Sequence, residues 1–240
     1  MITENIKNIL QTIPQKNCFD EPITLLAVTK KQSIEAIQQA ISTGITAIAE
    51  NTVQEFLQKY SILHDSSTFS LQYVKDNIKN IQWHFIGKLQ RNKVKYLVHK
   101  IDMLHSLDSI PLAEEIERQG KKHNWNCRCL MQVNIASEQT KGGFSLQEVE
   151  TSYMHLQEFN HIQLCGLMAI LPKDAPSPTL MQYARQMREL FNKLKTKNNT
   201  PTFCHLSMGM SNDYKICLEA GSNLLRLGTA IFGKRYSQNP

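Results

Sequence analysis

Four groups of residues in this chain have the types and spacing of a chemical site. Lys30 ends the apolar run ITLLAVTK. A lysine held against low-dielectric walls is a natural Schiff-base former, because burial disfavours its ammonium form. Lys31 beside it supports the opposite reading, an exposed loop lysine. Asn51, in AEN after a second apolar run, offers an uncharged donor and acceptor to a ligand's polar edge, or the N-cap of the next helix. The run HLSMGMSND gathers Ser207, Gly209 and Ser211 around a helix start. Small residues there present backbone N–H groups and hydroxyls to an anion such as phosphate, although Ser211 or Asn212 also suits an ordinary N-cap. In LLRLGTAIFG, Arg226 and Gly228 share one strand face by the two-residue period. An arginine flanked by leucines is expensive to bury without an acceptor, and Gly228 and Thr229 then open a short closing helix.

The elements that must position these groups are legible as an alternation. Runs rich in β-branched residues are each followed by an amphipathic stretch, which predicts parallel βα units. Strands are predicted at 23–29, 45–49, 82–87, 103–108, 127–135, 162–170, 202–208 and 224–228. Helical spacing covers 33–43, 52–63, 90–99, 110–123, 145–159, 178–197 and 211–220. An extra helix precedes the first strand, a closing helix starts near Thr229, and the long connection 64–81 carries a further helical turn in LQYVKDNIKN. Eight such units predict an α/β fold, a single (β/α)8 TIM barrel forming one domain over 1–240, with no Pro-, Gly- or Ser-rich linker to divide it. A doubly wound sheet is the alternative, but the first strand runs into VTKKQS where a dinucleotide fold places G-x-G-x-x-G. In a barrel, working residues sit at the C-terminal ends of strands, and the loops after strands seven and eight frequently bind phosphate. All four groups then face one mouth and describe a ligand with an aldehyde, a hydrogen-bonding ring and a phosphate. Pyridoxal 5′-phosphate fits that description.

Composition narrows the setting. The net charge of +6 is spread along the chain with no basic tail. The cluster Lys88, Arg91, Lys93 and Lys95 reads as a solvated helix face in preference to a nucleic-acid site, since no aromatic stacking platform accompanies it. Six cysteines, at 18, 127, 129, 165, 204 and 217, read as reduced thiols of a cytoplasmic protein. Cys127 and Cys129 share a strand face, but no second pair completes a metal site. Glu4 and Lys7 interrupt the apolar pattern of the N-terminus, unlike a signal peptide, and no segment reaches the roughly 18 unbroken apolar residues of a membrane span.

The runs LLAVTK, AENTVQEF, WHFIGKLQRNKVK, QVNIASEQTKGGF, GLMAI, LSMGMSNDY and LRLGTAIFGKR occur in this order from Leu25 to Arg235. Through them the chain resembles the pyridoxal phosphate homeostasis proteins, whose fold is similar to the N-terminal barrel of bacterial alanine racemase. The pair LSMGMSND and RLGTAIFG is the most specific part. The resemblance implies that Lys30 carries pyridoxal phosphate as a Schiff base, that Asn51 lines the ring and that Arg226 faces the pyridine nitrogen. It further implies that Ser207, the backbone at Met208, Gly228 and Thr229 hold the phosphate. His84 and Met168 fall on motif positions near the pocket. The chain departs from the family pattern with Thr29 where Ser is common, Ala49 where Gly is usual, Lys88 where His or Pro is frequent, and Leu171 inserted before Pro172.

The same residues bear on catalysis. An Asp against a protonated pyridine nitrogen makes the ring a full electron sink, whereas an Arg donor keeps that nitrogen neutral and weakens the sink. Alanine racemase shares the Arg but draws a tyrosine base from a second domain and a partner subunit, and this chain ends at Pro240. The expectation is a non-catalytic, monomeric protein of the cytoplasm that buffers pyridoxal phosphate or delivers it to apo pyridoxal-dependent enzymes. One alternative is a weak amino-acid racemase with a base from Lys141, Tyr214 or His205. Another is a cofactor-independent lysine aldolase, which would need neither Arg226 nor the phosphate cup.

Overall fold

A computed structural model of the chain describes residues 1–64, 80–198 and 200–233. Eight strands close into a parallel barrel in sequence order: β1 (Thr24–Val28), β2 (Ala47–Glu50), β3 (Gln82–Phe85), β4 (Met103–Leu107), β5 (Cys127–Val133), β6 (Ile162–Ala169), β7 (His205–Ser207) and β8 (Leu224–Leu227). β8 pairs with β1 through Thr24 to Leu224 and Ala27 to Leu227, so no sheet edge remains. The expected N-terminal helix is Ile2–Thr12, and the closing helix is Thr229–Phe232. Most of the predicted helix of 71–80 and all of 234–240 lie outside the described residues.

One predicted element differs in type. Residues Arg91–Tyr96 form a 3-10 helix, not the α-helix expected over 90–99. The bonds Lys93 N–H to Gln90 O and Leu97 N–H to Val94 O, both 2.9 Å, are i to i+3. Val94 and Leu97, three apart, are both buried, and the three-residue turn of this helix stacks them on one side.

Strand alternation divides the apolar residues into two layers. Leu26 and Val28 of β1 and Ala47 and Ala49 of β2 belong to the barrel interior with Met103, Leu130, Met168 and Leu224. Ala27 and Ile48, on the other parity, pack outward against the helices. Continuing the inner parity, Lys30 follows Val28, and Asn51 follows Ala49. Ala47 and Ala49 leave interior volume for the longer polar side chains across the barrel. On β6 a bulge against β5 changes the parity near Gly166, so that Cys165 and Met168, three apart, both lie inside. Gly166 has φ +147°, and a Cβ there would come within 1.8 Å of the His205 carbonyl oxygen.

Gly87, just after β3, has a similar role at the mouth. A Cβ on it would stand 1.8 Å from the Asn51 carbonyl oxygen, so only a glycine lets the two segments approach. Gly87→Ala is expected to displace the Asn51 backbone and to cost about 1–3 kcal/mol of stability, as overpacking does. An unchanged urea midpoint would show that the approach does not matter.

Candidate functional site

The barrel interior holds a hydrogen-bonded chain that crosses from β8 to β3. Arg226 Nη1 donates to Ser207 Oγ at 2.6 Å, and Nη2 donates to the Ala169 carbonyl oxygen at 2.9 Å. Ser207 Oγ lies 3.1 Å from His105 Nδ1, and His105 Nε2 lies 2.8 Å from His84 Nδ1. Arg226, Ser207, His105 and His84 are all buried. Arginine only donates, so Ser207 accepts from it. A neutral imidazole has one donor and one acceptor nitrogen, so the Ser207–His105 and His105–His84 bonds share one polarity, set by the His105 tautomer. His84 Nε2, at the far end of the chain, is buried with no partner among the described residues.

Burial sets the charges along this chain. Desolvation, with smaller repulsions from His205 and Arg128, pushes His84 down to about 3. His105 is held well below its ordinary value by burial and then by His84 and Arg226. His205, one position earlier on the inner parity of β7, is lowered to about 4, again by burial first. The histidines are therefore neutral at pH 7. Burial also lowers Arg226, to about 10, which still leaves it protonated. Both of its recorded acceptors are uncharged, so the guanidinium is a buried cation with donors to spare for a ligand.

The mouth above this chain is built by the ends of β1, β2, β7 and β8. Register places Val28 beside Ala49 and Ala27 beside Leu227, which brings the half-buried Lys30, Asn51 and Gly228 to neighbouring strand ends. Gly209 turns the chain after β7 at φ +99°, and its carbonyl oxygen accepts from Arg226 N–H at 3.0 Å. Ser211 Oγ reaches across to accept from Gly228 N–H at 3.3 Å and Ala230 N–H at 3.0 Å. Thr229, an exposed residue, lies between them at the first position of its helix, where its N–H has no intrahelical acceptor.

The sequence-predicted residues thus separate into two levels. Lys30, Asn51, Gly228 and Thr229 stand at the mouth, and Arg226 lies beneath them. The Ser207 hydroxyl is engaged by Arg226 and His105, and Met208, fully buried, donates its N–H to Ser222 Oγ at 3.3 Å. Met168 is an interior neighbour of Ser207 in the β6–β7 register. Lys141 Nζ donates to Glu138 Oε1 at 2.6 Å and to the carbonyls of Ile170 and Leu171, so it ties the loop after β5 to the end of β6. The basic cluster is not bare of aromatics as expected: Lys93 and Lys95 lie 5.5 and 5.1 Å from the Tyr96 ring centroid. Lys88, Lys93 and Tyr96 line a cleft of ≈ 480 Å³ with Asn51.

Sequence reasoning passed over His105, Lys59 and the reach of Ser211 to the backbone of Gly228 and Ala230. His105 was marked by its place at the centre of the apolar strand MLHSLD. Lys59 was marked by lying on the buried stripe Phe56, Lys59 and Leu63 of the Val53–His64 helix. Nothing local identified Ser211 as the partner of Gly228.

The match to known proteins agrees with this geometry. The family model described as alanine racemase, N-terminal domain, matches residues 1–236. An alanine racemase of Clostridium difficile 630, in complex with cycloserine, aligns with a TM-score of 0.77 at 14% identity, over 99% of this chain and 60% of that one. The chain is a barrel of the alanine racemase N-terminal class. The pyridoxal phosphate homeostasis protein of Aquifex aeolicus is 35% identical over 237 residues, 97% of each chain. That of Escherichia coli K12 is 36% identical over 215 residues, 90% of this chain and 87% of its own. PipY of Synechococcus elongatus PCC7942, solved with pyridoxal phosphate bound, aligns with a TM-score of 0.82 at 27% identity over 97% of this chain and 100% of PipY. The chain belongs to the family of pyridoxal phosphate homeostasis proteins.

Neutral buried histidines make the fold sensitive to acid. Unfolded His84 titrates near its ordinary value of 6.5, whereas the folded ring is held near 3. Between those values the unfolded chain binds the extra proton, so stability falls as pH falls. The slope from His84 alone reaches about 1.4 kcal/mol per pH unit. Urea midpoints measured between pH 7.5 and 4.5 should decline, and His84→Gln should flatten the decline. Parallel profiles for the two proteins would contradict this assignment.

Proposed function

We propose that the chain is one domain over 1–240 that binds pyridoxal 5′-phosphate as a Schiff base on Lys30 and serves homeostasis of that cofactor, holding and releasing it without turning over a substrate. The observation that carries this reading is Arg226, a buried cation with uncharged protein acceptors, set beneath a mouth that also presents Lys30. The residues suit the group. Lys30 supplies the amine for its aldehyde, and Asn51 a polar contact beside the ring. Arg226 supplies a donor for the pyridine nitrogen. The Gly228 and Thr229 backbone and the Thr229 hydroxyl suit the phosphate, with Ser207 and Met208 in the wall behind them.

When bound, the cofactor brings an aldehyde and a ring able to withdraw electrons. Arg226 donates and cannot accept, so it keeps the pyridine nitrogen unprotonated and the ring a weak sink. The Ser207 hydroxyl is engaged by both Arg226 and His105, which favours a fixed guanidinium. Of the bases named for a racemase, His205 lies a layer below Ser207 and burial makes it a weak base, lowered to about 4, and Lys141 is held by Glu138 and two carbonyls. These placements support a carrier, as does the naming of the relatives for homeostasis. Apo pyridoxal-dependent enzymes are the proposed recipients, and a monomer in the cytoplasm, its cysteines reduced, is the proposed working form. No helix among the described residues is long and apolar enough to cross a membrane.

Reconstitution tests the reading directly. Wild-type protein mixed with pyridoxal phosphate should gain the visible absorbance of a Schiff base, and Lys30→Ala should lack it. A wild-type chain that takes up no cofactor would sink the proposal. Loaded protein incubated with L-alanine should yield no D-alanine by chiral analysis, and sustained turnover would replace the carrier with the racemase. Combining Thr229→Val with Ser207→Ala should weaken cofactor retention about tenfold or more, given about 1.5–3 kcal/mol per hydrogen bond to a charged group. Equal retention would remove these residues from the site.

A further inference from the structure

Behind Lys30, outside the barrel wall, lies a buried ion cluster that the cofactor site does not use. Lys59, on the Val53–His64 helix, is 5% exposed, and Glu50, at the end of β2, and Thr29 are fully buried. The Lys59 ammonium has three N–H donors, and all three are committed. They reach the Thr29 carbonyl oxygen at 2.6 Å, Glu50 Oε1 at 2.7 Å and Glu55 Oε1 at 2.6 Å. Thr29 Oγ1 also donates to Glu50 Oε1, at 2.6 Å, and Glu55 Oε1 also accepts from Lys31 N–H.

These bonds bracket a single residue. The Thr29 carbonyl belongs to the peptide plane before the Lys30 Cα, and the Lys31 N–H to the plane after it. Holding both planes fixes the φ and ψ of Lys30, and with them the direction in which its side chain leaves the backbone. Lys31 is in the left-handed region at φ +59°, a conformation unfavourable for a lysine, and the Glu55 bond to its N–H helps maintain it. Across this turn Lys30 is half-buried and Lys31 is exposed. Burying this many charges has no evident benefit for the core, since a hydrophobic residue at 59 would pack there at lower desolvation cost.

We propose that Lys59, with Glu50 and Glu55, is a positioning device for Lys30: it sets the backbone of the turn so that Lys30, and not Lys31, meets the aldehyde. The inference rests on the cofactor reading above and deepens it. Schiff-base formation joins the lysine nitrogen to the aldehyde carbon and releases water, and the device supplies only geometry to that step.

The test uses the full chain and three variants, Lys59→Met, Lys59→Arg and Glu55→Gln. Pyridoxal phosphate is added, the adduct is trapped with borohydride, and the modified lysine is identified by peptide mass spectrometry. Wild type should be labelled at Lys30. Lys59→Met should take up cofactor at least tenfold more weakly and spread the label onto Lys31, and Lys59→Arg should recover most of both. Glu55, less buried than Glu50, gives a variant that keeps the buried Lys59–Glu50 pair if Lys59→Met does not fold. Hydrogen exchange at the Lys31 amide, measured without cofactor, should quicken at least tenfold in Glu55→Gln. Label confined to Lys30 in a folded Lys59→Met, or unchanged Lys31 protection in Glu55→Gln, overturns the positioning claim. Wild-type protein that binds no cofactor would overturn the functional reading instead, while the amide measurement still decides whether the cluster holds the turn.

Discussion

A guanidinium buried inside an eight-stranded barrel constrains everything around it. Arg226 projects from β8 into an interior that it shares with Leu26, Val28, Leu130 and Leu224, and its guanidinium donates to Ser207 and to the Ala169 carbonyl, not to a carboxylate. Like charges at hydrogen-bonding range in a low-dielectric interior repel by several kcal/mol, about 4 at 4 Å with an effective dielectric of 20. The histidines that continue its hydrogen-bonded chain must therefore be neutral, and burial keeps them so. Neutral rings carry one donor and one acceptor each, so the bonds from Ser207 to His84 share a single polarity. Small side chains at Ala47 and Ala49 make the volume for it. The cation, the tautomers and the packing are one arrangement.

The arrangement also separates two tasks that a strand end performs at once. Residues on the inner parity, Lys30, Asn51, Arg226 and Gly228, belong to the interior and its mouth. Those on the outer parity, Thr29 and Glu50, fasten neighbouring strands to the Val53–His64 helix through Lys59. Such a division follows from the pleat, which sends successive side chains to opposite faces. The mouth stays polar and open, and its support is buried.

The likeness to alanine racemase is one of scaffold. At 14% identity the shared feature is the barrel, and a barrel hosts many chemistries through the residues at its strand ends. What distinguishes a site that holds a cofactor from one that uses it is the acid and base placed around it. Among the described residues, the titratable groups of the interior are histidines that burial holds neutral and an arginine that it leaves protonated.

Much of this was legible in the chain itself. Strand periodicity located all eight strands, and the helical boundaries 110–123 were read to the residue. These features are local, each set by a few successive side chains. Lys30, Asn51, Arg226 and Gly228 were likewise visible as polar or small residues at the ends of apolar runs. What the sequence alone left open is which inner residues meet. The His84, His105, Ser207 and Arg226 chain joins strands up to 142 residues apart in sequence, from 84 to 226. Its formation depends on register and on a bulge beside Gly166 that reverses the parity of β6. Ser207 accordingly reads as a phosphate ligand from its motif, whereas its fold neighbours claim its hydroxyl for Arg226. Lys59 reads as one more helix lysine until closure of β1 against β2 sets Thr29 and Glu50 within its reach. Local pattern determined the elements and the side each residue faces. Only closure of the barrel decided the partners, because hydrogen bonds between strands depend on distances that no local period specifies.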